Sequence, residues 1–72
     1  MEIPRILYEI IGDKAVLDPS CELLDSGLLD SLALMELVDR LEDEGVTLHP
    51  TQIDRERLRT PTQIAALVEE LR

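Results

Sequence analysis

An all-α fold is what this sequence predicts: a small four-helix bundle, three main helices plus one short helix, with a long first loop. Three observations lead there. Apolar residues recur every three or four positions in three separate segments, the period of one helix face. Helix start and stop residues sit at the edges of those segments. The apolar share of 44% is almost wholly aliphatic, with Tyr8 the one aromatic, so the core must be built from Leu, Ile and Val.

The first helix is expected within residues 2–12. Ile3, Ile6, Leu7, Ile10 and Ile11 fall on one face, Pro4 is tolerable in a first turn, and Gly12-Asp13 is a stop. Tyr8 lies near this stripe and reads as structural. Residues 13–29 form the long loop. Val16, Leu17, Leu23, Leu24, Leu28 and Leu29 stud it, so it should pack down over the helices, with room for a short helical turn.

The second helix should begin at Asp30-Ser31, where either side chain can cap free backbone N–H groups. Leu34, Leu37, Val38 and Leu41 supply its buried stripe, and Gly45 ends it. Val46 to Pro50 reads as extended, and Ile53 to Leu58 as the short third helix. Thr60-Pro61-Thr62-Gln63 starts the last helix, with Thr as cap, Pro at the first helical position and Gln three after the cap. Ile64, Leu67, Val68 and Leu71 form its buried face.

A chain of 72 residues is read as one domain, 1–72. It leaves little room for a deep catalytic cleft, which weighs against a self-sufficient enzyme. The net charge of −9 excludes nucleic acid and disfavours an anionic membrane surface. The charge is uneven. From Asp18 to Glu44 there are nine acids against Arg40 alone, whereas from Gly45 onward four acids balance four arginines. Two readings stand: a basic partner meets the middle of the chain, or the acids form a solvated helix face. No segment is apolar and long enough to span a membrane and no signal peptide is visible, so the cytoplasm is the expected location. One cysteine, Cys21, leaves no intramolecular disulfide. Met1 and the absence of linkers suggest a free-standing protein, with a domain excised from a longer chain as the alternative.

The segment Leu24-Asp25-Ser26-Gly27-Leu28-Leu29-Asp30-Ser31-Leu32 carries the chemistry. Its Asp-Ser-Leu, placed after an apolar Gly-Leu-Leu and before an amphipathic helix, resembles the signature of the acyl and aminoacyl carrier proteins. The similarity runs on through Met35-Glu36-Leu37-Val38 and the following acids, and takes in helix order, the long first loop and total length. It implies an acyl-carrier-protein-like bundle. It also implies that Ser31 receives covalent 4′-phosphopantetheine from a transferase that uses coenzyme A, with Asp30 as its motif neighbour. The arm's thiol would then hold cargo as a thioester. A serine at a helix N-terminus suits this, because the helix dipole there favours a phosphodiester's charge. The bare alternative makes Asp30-Ser31 only a cap.

Ser31, Met35 and Asp39 repeat at four-residue spacing beside the buried stripe. Leu32 and Met35 either sit exposed near the serine or fold into the core. If exposed, an apolar pair ringed by acids is a docking patch. In the resembled family the positions of Leu32, Met35, Glu36, Glu42 and Asp43 line the partner-facing side, and Asp39 shares that face. A narrower resemblance joins Gly27-Leu28-Leu29-Asp30-Ser31 with Asp54-Arg55, Thr60-Pro61 and Ile64, and is to the D-alanyl carrier proteins. Ile53 and Leu58 stand where that family has aromatics, and no paired glycine precedes Asp30.

The resemblance implies three partners: the transferase, an adenylating enzyme that loads an amino or acyl acid, and a downstream acyl-transferring enzyme. The carrier itself would be monomeric and without catalysis. An amino acid is the expected cargo. The alternatives are a carrier of fatty-acid or polyketide synthesis and, in another class, an unmodified acidic helical adaptor. A thiol enzyme using Cys21 is disfavoured, since Asp18 and Glu22 beside it would raise the thiol pKa. His49, a single histidine beside a proline, suits neither a ligand set nor a metal site. Arg55, Arg57 and Arg59 read as ion-paired or solvated.

Overall fold

The computed structural model describes residues 2–72. Three α-helices, α1 (Ile3–Ile11), α2 (Ser31–Asp43) and α3 (Pro61–Leu71), are joined by connections that carry 3₁₀ turns at Lys14–Leu17, Pro50–Gln52 and Arg55–Leu58. No strand occurs among the described residues. α1 packs against both other helices, and α3 packs on the 3₁₀ turn that precedes it. One apolar cluster holds these elements together. It is made of Ile3, Ile6 and Leu7 of α1, Ala33, Leu37 and Leu41 of α2, and Ile64, Leu67 and Val68 of α3, joined by Val16, Leu23, Leu29, Val46, Leu48 and Leu58 from the connections.

Each helix end has a local cause. Gly12 stops α1 by taking φ 82°, where a side chain would be strained, and its N–H closes on the Tyr8 carbonyl at 2.8 Å. Pro61 opens α3, and the Thr60 hydroxyl accepts the Gln63 N–H at 3.2 Å. Val46 and Leu48 are buried while Thr47 and His49 are exposed, the alternation of an extended segment laid on a core.

The long loop is fastened, not loose. Leu23 N–H donates to the Arg59 carbonyl at 2.7 Å, and Thr62 donates to the Pro19 carbonyl through both its N–H (3.2 Å) and its hydroxyl (2.9 Å). Leu29 N–H returns to the Leu23 carbonyl at 3.0 Å, and Gly27 turns the chain at φ 77°. The radius of gyration is 10.7 Å. A fully packed chain of this length gives about 11 Å, so the loop lies on the helices.

Several sequence expectations need correction. The buried line of α2 is Ala33, Leu37 and Leu41; Leu34 and Val38, one step round the helix, are half-buried. Both still pack against the core cluster, and Leu34 also lines a cavity beside Ser31. Ile10 and Ile11, at the end of α1, are half-buried and pack against the core cluster, in keeping with the expected face. Leu71 is 42% exposed, since the core cluster ends on α3 at Val68. Leu17 is exposed because the 3₁₀ turn points Val16 inward in its place. The short helix expected over Ile53–Leu58 is the 3₁₀ turn Arg55–Leu58, begun by Asp54, whose carboxylate accepts the Glu56 N–H. Four residues suffice for such a turn but not for an α-helix with its own hydrogen-bond ladder. Tyr8 sits at the rim of the stripe and is partly exposed.

Candidate functional site

Asp30, not Ser31, caps α2. Its carboxylate accepts the Ala33 N–H at 2.8 Å, with extended backbone at φ −86°, ψ −176°. Ser31 is therefore the first helical residue, and its side chain is released from capping. The chain has three serines, and their hydroxyls differ. Ser20 Oγ donates to the Asp18 carboxylate at 2.9 Å, and Ser26 Oγ donates to the Glu22 carbonyl. Ser31 is exposed, and its hydroxyl has no hydrogen-bond partner among the described residues. The N–H groups of a helix's first turn also have no intrahelical acceptor, so a negative group attached at Ser31 meets donors and the positive end of the dipole.

A cavity of about 440 Å³ opens beside Ser31, lined by Leu24, Gly27, Leu29, Asp30, Ser31, Leu34, Pro50, Arg55 and Leu58. A second, of about 260 Å³, lies on the α1 side and is lined by Ile10, Ile11, Gly27, Leu28, Asp30, Leu32, Ala33 and Glu36. Gly27 and Asp30 line both hollows, and Ser31 opens on the larger one. An attached arm has open space beside the serine, so the residues present fit a 4′-phosphopantetheine group on this hydroxyl. Arg55 was not foreseen beside Ser31. The sequence held no signal for it, because the fold alone brings the 3₁₀ turn to the head of α2.

The expected docking residues all lie on the exposed side of α2. Leu32 and Met35 are 68% and 67% exposed, which resolves the open question of their placement in favour of the surface. Ser31, Glu36, Asp39, Glu42 and Asp43 are exposed with them. From Ser31 to Asp43 this face runs roughly 18 Å at 1.5 Å per residue.

The acids of the middle stretch divide into two groups. Asp18 holds a turn, its carboxyl drawn below the usual range by the Ser20 N–H and then by the Ser20 hydroxyl. Glu22 lies 3.8 Å from Arg59, and Asp30 is the cap. Asp25, Glu36, Asp39, Glu42, Asp43 and Glu44 form no ion pair or side-chain hydrogen bond among the described residues. Arg40, the lone base of the stretch, faces α1 and pairs with Glu9 at 2.6 Å.

The remaining candidates carry little chemistry. Partial burial, and then the charges of Asp18, Asp13 and Glu22, push the Cys21 thiol above its ordinary pKa, which disfavours the nucleophilic thiolate. His49 is exposed, and the described residues hold no group of three His, Cys, Asp or Glu suited to a metal. Arg57 pairs with Glu70 and Arg59 with Glu56. No helix among the described residues is long and apolar enough to cross a membrane.

The cap makes a testable stability claim. Asp30→Ala is expected to cost about 1 kcal/mol, the usual worth of such a cap. Thermal denaturation should register a midpoint roughly 4–8 °C lower for a domain of this size. Asp30→Asn keeps a capping oxygen and should recover most of the loss. An unchanged midpoint for Asp30→Ala would mean the carboxylate does not hold the helix start.

With the geometry in hand, comparison with known proteins is direct. Residues 3–68 match the family model described as the phosphopantetheine attachment site. The D-alanyl carrier protein of Bacillus velezensis is 34% identical over 73 residues, covering 99% of this chain and 94% of that one. The D-alanyl carrier protein of Enterococcus faecalis is 39% identical over 69 residues, covering 93% and 88%. The lincomycin biosynthesis protein LmbN of Streptomyces lincolnensis is 40% identical over 60 residues, which are 83% of this chain and 22% of that protein. The match spans all three helices and the cavities at the head of α2, and by it the chain belongs to the phosphopantetheine-binding carrier proteins, whose cofactor is covalent 4′-phosphopantetheine.

Proposed function

We propose that residues 1–72 form one carrier domain in which Ser31 bears 4′-phosphopantetheine and an aminoacyl group, of the D-alanyl type, rides on the arm as a thioester. One observation carries the site: of three serine hydroxyls, only that of Ser31 is exposed and free of hydrogen bonds among the described residues. Its oxygen takes the phosphopantetheinyl group of coenzyme A in the active site of a transferase. The new bond is Oγ–P, the old pyrophosphate bond breaks, and the adenosine bisphosphate leaves. When bound, the arm supplies the thiol on which the cargo is carried. Apart from the Ser31 oxygen, which gives up its proton to the transferase as the Oγ–P bond forms, the protein's residues contribute position and recognition.

Loading a carboxylic acid onto a thiol needs an activated carboxylate, so an ATP-using adenylating enzyme is the donor. A downstream acyl-transferring enzyme is the acceptor. An amino-acid cargo rests on the names of the relatives, several of which are D-alanyl carrier proteins matched over nearly their whole length. The carrier works as a monomer in the cytoplasm. Incubation with coenzyme A and a broad-specificity transferase should add the mass of one phosphopantetheine. Further incubation with ATP, D-alanine and an adenylating enzyme should then add one alanyl group. An unmodified chain, under conditions that load a control carrier, would leave the unmodified acidic adaptor as the better reading. Loading with fatty acyl groups alone would move the cargo to fatty-acid or polyketide synthesis.

The unpaired acids of α2 and the exposed Leu32 and Met35 support a docking face for basic partner enzymes. Glu36→Lys and Asp43→Lys are each expected to slow loading chiefly through the association rate, and raised salt should slow the wild type similarly. Stability should stay within about 0.5 kcal/mol, since both side chains are exposed and away from structural contacts. Partner kinetics indifferent to both reversals and to salt would make the face idle.

A further inference from the structure

We infer that Arg55 is a positioning residue for the arm: its guanidinium pairs with the phosphodiester on Ser31 and holds the first part of the arm over the cavity between the two residues. The inference rests on the reading of Ser31 as the attachment site.

Charge balance at Ser31 is the starting point. A phosphodiester there places a negative charge next to the Asp30 carboxylate, in a chain already at −9. Some cation must offset two adjacent anions if the arm is to rest against the protein. Seven Lys and Arg residues are available. Arg40, Arg57, Arg59 and Arg72 are committed to Glu9, Glu70, Glu56 and Glu69. Arg5, Lys14 and Arg55 form no ion pair among the described residues. Of these three, Arg55 alone lines a cavity with Ser31.

The cavity itself suits an amphiphilic arm. Its volume of about 440 Å³ falls in the range of small-ligand sites, roughly 300–1,000 Å³. Leu24, Leu34 and Leu58 offer apolar wall, and Ser31 and Arg55 are among its few polar members. A guanidinium presents paired donors that match two phosphate oxygens, a geometry a lysine ammonium lacks. Arg55 is also well founded. Its 3₁₀ turn is capped by Asp54, anchored by buried Leu58 and tied to the long loop through the Arg59 carbonyl. The residue therefore stands at a fixed place opposite the head of α2, with its own side chain exposed. An arm so held keeps its thiol near the carrier until a partner's basic surface competes for the phosphodiester.

The test follows the arm and not the turnover. Wild type, Arg55→Ala, Arg55→Lys and, as a control for an unpaired arginine elsewhere, Arg5→Ala are each converted with coenzyme A carrying ¹⁵N-labelled pantetheine. Intact mass confirms one group per chain, and amide spectra confirm the fold. In wild type the Arg55 Nε–H resonance should shift on modification. The arm amide nearer the phosphate should be ordered, and should fall to an order parameter below about 0.6 in Arg55→Ala. Arg55→Lys should fall between, Arg5→Ala should match wild type, and high salt should loosen the wild-type arm. Should Arg55→Ala lose the fold, Arg55→Gln, which keeps length without charge, replaces it with the same expectation. Arms of equal mobility in wild type and the Arg55 variants overturn this inference and leave Ser31 as the attachment site. A chain that accepts no group at Ser31 overturns both.

Discussion

Ser31→Ala is expected to abolish phosphopantetheine addition completely while leaving the domain folded. On the proposed attachment the loss is total, because the hydroxyl oxygen would itself be the atom that bonds phosphorus and no neighbouring group could replace it. The fold survives because Asp30 supplies the helix cap, and alanine is a strong helix former at a first-turn position. Intact mass and circular dichroism read the two halves of this expectation. Ser20→Ala and Ser26→Ala should be modified like wild type, since both hydroxyls are engaged within the loop. A modified Ser31→Ala protein would refute the site, and a melted one would mean that α2 needs the serine for its start.

Two leucines on α2 should behave oppositely under the same truncation. Leu37 is fully buried at the centre of the core cluster. Leu37→Ala should cost about 2–5 kcal/mol through lost transfer energy and the cavity left behind. That is a large fraction of the 5–15 kcal/mol typical of whole domains, and a chain this short sits near the low end. Urea denaturation should locate a sharply lowered midpoint. Leu32, five residues earlier and 68% exposed, should tolerate alanine with a stability change within about 0.5 kcal/mol. Its truncation should instead slow loading by a partner. A stability loss for Leu32→Ala matching that of Leu37→Ala would mean that Leu32 belongs to the core.

The three helices and the start of α2 at Asp30-Ser31 were legible because their signals are local. Thr60-Pro61 and Gly12 act within a few residues, and the Asp30-Ser31 boundary is fixed by one cap. Burial was read less well where it depends on how helices cross. Periodicity allows Leu34, Leu37, Val38 and Leu41 as a stripe, but packing on α1 and into the shared core buries Ala33, Leu37 and Leu41 most fully. Leu71 fits the period of α3 and is exposed because the core cluster ends at Val68, three residues before it. Arg55 was the hardest to place. Its neighbourhood with Ser31 spans 24 positions and depends on hydrogen bonds such as Leu23 to Arg59, which no local pattern announces.

The six uncompensated acids on and near α2 bear on how this protein behaves among its own copies. Leu32 and Met35 form an apolar spot that could stick to a like spot on a second molecule. Face to face, though, two copies would bring Glu36, Asp39, Glu42 and Asp43 against the same four residues. Repulsion is screened beyond roughly 8–10 Å at ordinary salt, so it acts only at the contact itself. The same charges that would welcome a basic enzyme thus work against self-pairing, and any association of copies through the greasy spot is expected to grow as salt screens them.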